Sequence, residues 1–76
     1  MIKPLPAGIT VPPLREVRRA NGKGLREVAR ATDIDPGHLS RVERGSASLS
    51  LDALHRVAVE LGLNELARLI RPWLAH

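Results

Sequence analysis

The sequence predicts an all-α domain of five short helices, and three observations predict it. Aliphatic residues recur every three or four positions in each segment from Leu14 onward, the spacing of one helical face. Pro, Gly, Asn and Asp residues break that spacing repeatedly, as helix starts and stops do. No segment alternates apolar and polar residues as a half-buried strand would, and no internal repeat is present.

Each element follows from local chemistry. Residues 1–10 read as an extended arm, because Pro4 and Pro6 forbid a regular helix, although Ile2, Leu5 and Ile9 can pack locally. Residues 11–76 read as the single folded domain. Pro12 and Pro13 suit a first helical turn, where a missing N–H is no loss. The first helix is predicted to run to about Asn21 and to bury Leu14 and Val17, with Asn21 and Gly22 supplying the left-handed stop. The second starts near Gly24 or Leu25 and buries Leu25, Val28 and Ala29, with Thr32 a weaker candidate. Asp33 and Ile34 form a turn, and Asp is one of the few non-glycine residues that visit left-handed geometry.

Asp35 is a good N-cap, with Pro36 at the first position of the third helix, which ends at Gly45. Residues 46–49 form a loop. Ser50 caps the fourth helix, Asp52 complements its dipole, and Leu51, Leu54, Val57, Ala58 and Leu61 share one arc. After Gly62 and Leu63, Asn64 is expected to cap a fifth helix that buries Leu66, Leu69 and Ile70 and is kinked or ended by Pro72.

Composition narrows the function. At 76 residues, 43% hydrophobic and 26% charged, the chain suits one small soluble domain with a modest core. That core must be aliphatic, since Trp73 is the only aromatic residue. Without cysteine there is no disulfide framework and no thiolate metal site. His38, His55 and His76 lack metal-ligand spacing, so no metal or other cofactor and no small-molecule ligand is expected. Neither a Ser-His-Asp order nor a Gly-rich phosphate loop is present, and Asp33 and Asp35 are better explained as turn and cap than as an acid pair. We therefore expect no enzymatic activity. No apolar run approaches the roughly 18 residues of a membrane span, and MIKPLPAGIT does not resemble a signal peptide. The expected location is the cytoplasm, away from membranes.

The charge is concentrated. Residues 15–30 hold Arg15, Arg18, Arg19, Lys23, Arg26 and Arg30 against Glu16 and Glu27, an excess equal to the net +4 of the whole chain. A basic segment on a small domain favours a polyanionic partner, against the blander reading of a solvated helix face. The third helix has an unusually wide polar face. On a helical wheel Leu39 and Val42 mark the buried side, Gly37 and Arg44 lie opposite with Ser40 and Arg41 beside them, and Glu43 falls close to the buried arc. A helix about 10–12 Å across fits the major groove of B-form DNA. Two helices joined by a tight turn are one way to present it there.

These residues carry a resemblance. The matching text is Val28-Ala29, Ile34, LSRVERG at 39–45 and SLDALHRVAVELG at 50–62. The stretch from Leu14 to Leu61 resembles the helix-turn-helix of the phage repressor and Cro family, also called the Xre family. The resemblance implies a five-helix domain whose third helix enters the major groove of double-stranded DNA. It also implies a buried ion pair between Arg18 of the first helix and Glu43 of the third.

The sequence departs from the family pattern in places. Lys23 stands where a large aliphatic is usual, Gly24 where a Ser or Thr cap is usual, and Leu25 where a phosphate-clamping Gln is common. Pro36 and Gly37 occupy the first two base-reading positions without side-chain donors or acceptors. Base contact therefore falls on Arg41, which can grip guanine O6 and N7 bidentately, with His38 and Ser40 secondary and Gly37 allowing a closer approach. Otherwise DNA shape contributes more of the readout. Phosphate contacts are expected from the backbone N–H groups around Leu25 and Arg26, and from Arg26, Arg44, Ser46 and Ser48.

The C-terminal segment has two readings. Trp73 and Leu74 close the core, the reading we favour, or they join Val59 in a two-fold dimer patch. A single short helix reads too few base pairs to find one site, so a homodimer on a near-palindromic operator is expected. With no room for a separate sensing domain, the sequence suggests a Cro-like or immunity-type repressor of a phage, prophage or plasmid. The rival is a protein-binding module, antitoxin-like or polymerase-contacting, that uses the C-terminal segment. An exposed Trp73 would favour that rival.

Overall fold

Pro13, in extended conformation and lacking an N–H, stands just before the first helix and marks its start. The computed structural model describes residues 8–74. The arm residues Ile2 and Leu5, and His76, lie outside them. Five helices follow in order: α1 Leu14–Ala20, α2 Leu25–Thr32, α3 Pro36–Glu43, α4 Leu51–Glu60 and α5 Asn64–Ile70. A 3-10 turn, Arg71–Trp73, follows α5. There is no strand among the described residues.

The starts of α3 and α4 are made by side chains. Asp35 Oδ2 accepts from the His38 backbone N–H at 3.0 Å, with Pro36 at the first helical position. Ser50 Oγ accepts from the Ala53 N–H at 3.1 Å. Each bond satisfies one of the donors that a helix N-terminus leaves open. At α2 the cap is Gly24, which has no side chain to offer. Instead the Gly24 N–H donates to Glu27 Oε1 at 3.2 Å.

The first four helices end alike, on a left-handed residue followed by a backbone bond that reaches back across the last turn. At α3 the residue is Gly45 (φ +80°), the Ser46 N–H donates to Arg41 O at 2.9 Å, and that of Gly45 to Val42 O at 3.0 Å. At α2 it is Asp33 (φ +57°), the only described non-glycine residue with positive φ, and the Ile34 N–H reaches Ala29 O at 2.9 Å. Asp33 therefore makes the tight turn between α2 and α3 in a conformation few side chains adopt.

The core is aliphatic and centred on α4, which packs against both α2 and α5, while α2 packs against α3. Val28, Leu39, Val57, Ala58 and Ile70 have almost no exposure. Ile34, which the sequence placed only in the turn, is also buried and pins the turn to the core. The buried Thr32 hydroxyl donates to Val28 O at 2.7 Å, so it does not go unpaired. Three side chains tie helix ends together. Arg56 Nε on α4 donates to Thr32 O at 2.8 Å, and Lys23 Nζ donates to Glu60 O at 3.0 Å and pairs with its carboxylate at 2.8 Å. Asn21 Nδ2 reaches Leu61 O at 3.4 Å. Lys23, where the resemblance leads one to expect an aliphatic, thus anchors the α1–α2 loop by polar contacts to the end of α4.

Four expectations need correction. Asn64 is the first residue of α5 rather than its cap; Leu63 holds the cap position and makes no side-chain bond. Leu69 is 45% exposed, because Leu66, Ala67 and Ile70 already fill the buried arc of α5 and Leu69 falls outside it. The last residue of α3 is Glu43, with Gly45 in the left-handed stop beyond it. Trp73 does not close the core: it is 55% exposed, while its neighbour Leu74 packs against the core. Pro72 lies in the 3-10 turn that follows α5, where the α-helical hydrogen-bond pattern has stopped.

Candidate nucleic-acid interface

Helix α3 is fixed by one fully buried side chain, Leu39, with Val42 and Ile34 packed beside it. Its other side faces solvent. Gly37, Arg41 and Arg44 are exposed, and Ser40 and His38 flank them half-buried. Gly37 and Arg41 are one turn apart and share a face. A Cβ at position 37 would stand 3.5 Å from Arg41 Nη1 and only 3.0 Å from Asp35 Oδ2, the oxygen that caps the helix. The bare glycine thus leaves space beside the Arg41 head and next to the cap. Among the described residues, the Arg41, Arg44 and Arg26 side chains have no hydrogen-bond or ion-pair partner, so all three cations are uncommitted.

His38 differs from them. Its Nε2 lies 3.1 Å from Ser48 O, which ties α3 to the loop before α4. That ring nitrogen is occupied, and His38 holds in place the loop that carries Ser46 and Ser48. Ser46 is also engaged: its Oγ donates to Arg41 O at 3.2 Å, closing the end of α3. Ser48 is exposed. At α2, helix geometry leaves the first N–H groups without intrahelical acceptors, Leu25 and Arg26 among them. Glu27 takes up the Gly24 N–H just ahead of them.

Behind α3 lies the ion pair. Arg18 Nε donates to Glu43 Oε2 at 2.8 Å and Nη2 to Oε1 at 2.9 Å, a bidentate fork, while Nη1 donates to Lys23 O at 3.0 Å. The two side chains are 10% and 5% exposed. The Glu43 hydrogen bond, and after it the carboxylate charge, raise the Arg18 guanidinium above its ordinary value against an opposing effect of burial. Arg18 is therefore cationic at every pH at which the protein would be handled. The pair joins α1 to the last turn of the exposed helix.

The elements thus place Gly37, Ser40 and Arg41 on the solvent side of α3, with Arg44 just beyond its end, and they bring His38 Nε2 to Ser48 O. Val59, at 57%, and Trp73 are exposed on other elements, α4 and the 3-10 turn. Arg15, one of the six cations of residues 15–30, lines a notch with Ser40 and Arg44. Its position three residues before Arg18 was the available signal, since residues at that spacing share a helix face.

A family model described as a helix-turn-helix domain matches residues 13–70, more than half of the chain. The chain belongs to the helix-turn-helix domain family. Its domain is of the repressor and Cro (Xre) type. A search of curated proteins and of solved structures found no match. In helix-turn-helix terms, α2 and α3 are the two helices of the motif, with Asp33 and Ile34 in its turn. Family membership implies that the partner is DNA and that the domain is a DNA-binding regulator. No helix among the described residues is long and apolar enough to cross a membrane.

Proposed function

We propose that the chain is a sequence-specific transcriptional regulator of double-stranded DNA, a Cro-like or immunity-type repressor of a phage, prophage or plasmid. The observation that carries this reading is the solvent face of α3, with an uncommitted Arg41 beside a bare Gly37 on a helix held down by Leu39. A guanidinium so placed can donate two bonds to guanine in the major groove. Ser40 is the second base contact, and Gly37 allows the helix to approach closely. His38 contributes chiefly by holding the Ser48 loop. Arg26, Arg44, Ser48 and the N–H groups around Leu25 take the phosphates, while the Ser46 hydroxyl, which donates to Arg41 O, closes the end of α3 instead.

Two copies bind, with Val59, Trp73 and Leu74 forming the contact between them. What supports this is the exposure of Val59 and Trp73 and the short reading length of one helix. The same exposed residues, with Leu69, favour a second reading, a protein-binding surface for an unrelated partner.

Selection of bound duplexes from random DNA tests the proposal. The expected result is one enriched motif that contains a guanine and recurs as two inverted half-sites about 34 Å apart, centre to centre. Enrichment of a single half-site, bound by one copy, would transfer Val59 and Trp73 to the protein-binding reading. No enrichment over random duplex would sink sequence-specific regulation.

A further inference from the structure

A notch of ≈ 170 Å³ lies where α1, α2 and α3 meet. Arg15 and Arg18 line it from α1, Leu25 from the start of α2, Ser40 and Glu43 from α3, and Arg44 from just past the end of α3. Its acid is already neutralised, because both Glu43 oxygens are held by Arg18 at 2.8 and 2.9 Å. Arg15 and Arg44 are exposed and have no hydrogen-bond or ion-pair partner among the described residues. Two arginines from separate elements therefore line one hollow whose lining holds no free carboxylate. Like charges so placed repel, and an anion bound between them removes the repulsion. Guanidinium forks match the oxygens of a phosphate.

We propose that this notch seats one phosphodiester of duplex DNA, held jointly by Arg15 and Arg44. The inference rests on the DNA-binding reading above and adds α1 to the DNA contact surface. Arg44, the cap just past α3, stands one turn beyond Ser40, and Arg41 follows Ser40 directly. A phosphate in the notch would thus lie along the flank of the helix whose neighbouring face meets the bases, where the backbone bordering the groove runs. It also explains how a domain with Leu25, rather than a side-chain donor, at the head of α2 can hold the backbone there.

The test compares wild type, Arg15→Ala, Arg44→Ala and the double variant on the selected duplex and a scrambled one over a series of salt concentrations. Both arginines are exposed and alanine favours helix, so circular dichroism should show an unchanged fold. Each single variant is expected to weaken binding several-fold on both duplexes alike. The double variant should have a log–log salt slope shallower than wild type by about 0.9, the contribution of one phosphate. A single methylphosphonate, which is neutral, should weaken wild type at one backbone position and the double variant much less at that position. A slope change of about twice that size would mean two separate phosphates and overturn the shared seat. An Arg15→Ala variant indistinguishable from wild type would overturn it too. So would saturation of the Arg15 and Arg44 side-chain NMR signals by inorganic phosphate with no sensitive methylphosphonate position, which would assign the notch to a free anion. If wild type itself shows no salt-dependent duplex binding, the DNA-binding reading fails; if wild type binds and Arg15→Ala matches it, only the notch fails.

Discussion

Replacing Glu43 by alanine is expected to destabilise the domain by about 3–5 kcal/mol. The carboxylate answers a guanidinium that is nine-tenths buried, through two short bonds. Without it Arg18 keeps its bond to Lys23 O, but its charge stays in a place that water hardly reaches. A domain of this size has only about 5 kcal/mol or a little more to lose, so the variant should stand close to unfolding at room temperature. Each kcal/mol shifts the melting temperature of a domain under 100 residues by about 4–8 °C, so a thermal melt resolves the effect easily.

The cost should not change from neutral to mildly alkaline pH. Arg18 is raised above its ordinary value in the folded state, so its stabilisation is complete below the unfolded value and is lost only as pH rises through the raised one. Adding Arg18→Met to Glu43→Ala should restore part of the loss, because no stranded charge is left. A Glu43→Ala melt within about 4 °C of wild type would mean that the pair is screened like a surface pair.

Leu39→Ala is expected to cost about 2–5 kcal/mol by chemical denaturation. Leu39 is 1% exposed and is the only fully buried residue of α3, so the cavity would open directly beneath that helix. Leu39→Met, which keeps the volume, should cost less than about 1.5 kcal/mol. If alanine at position 39 costs no more than methionine, α3 is held mainly by its turn and by the Glu43 pair rather than by its apolar anchor.

Most of the fold was legible because its signals are local. Asp35-Pro36 and Ser50 announce helix starts by side-chain chemistry, and both caps form. The arc from Leu51 to Leu61 repeats at helical spacing and is buried. The errors fall where tertiary packing decides. Leu69 is as apolar as Leu66, and only the position of α4 makes Ala67 the better fit to the core. Trp73 follows Pro72, and where the chain turns after that proline depends on contacts that no periodicity encodes. Asn64 is a favoured cap residue, yet Leu63 holds the cap position because the backbone after Gly62 enters the helix one residue earlier.

The candidate site divides in the same way. The polar face of α3 follows from a wheel, whereas the engagement of His38 with Ser48 O depends on how a ten-residue separation closes in space. The notch between Arg15 and Arg44 depends on how α1 crosses α3, and its clue in the sequence was one arginine at the right spacing from Arg18.

Titrating the selected and scrambled duplexes with wild type, Arg41→Ala and Arg26→Ala at several salt concentrations separates backbone attraction from base reading. Wild-type affinity should fall steeply with salt, each neutralised phosphate contributing about −0.9 to the log–log slope. Arg41→Ala should cost about 1–3 kcal/mol on the selected duplex and almost nothing on the scrambled one, while Arg26→Ala weakens both alike. A flat salt dependence, no binding at low salt, or an equal loss on both duplexes with Arg41→Ala would contradict reading by α3.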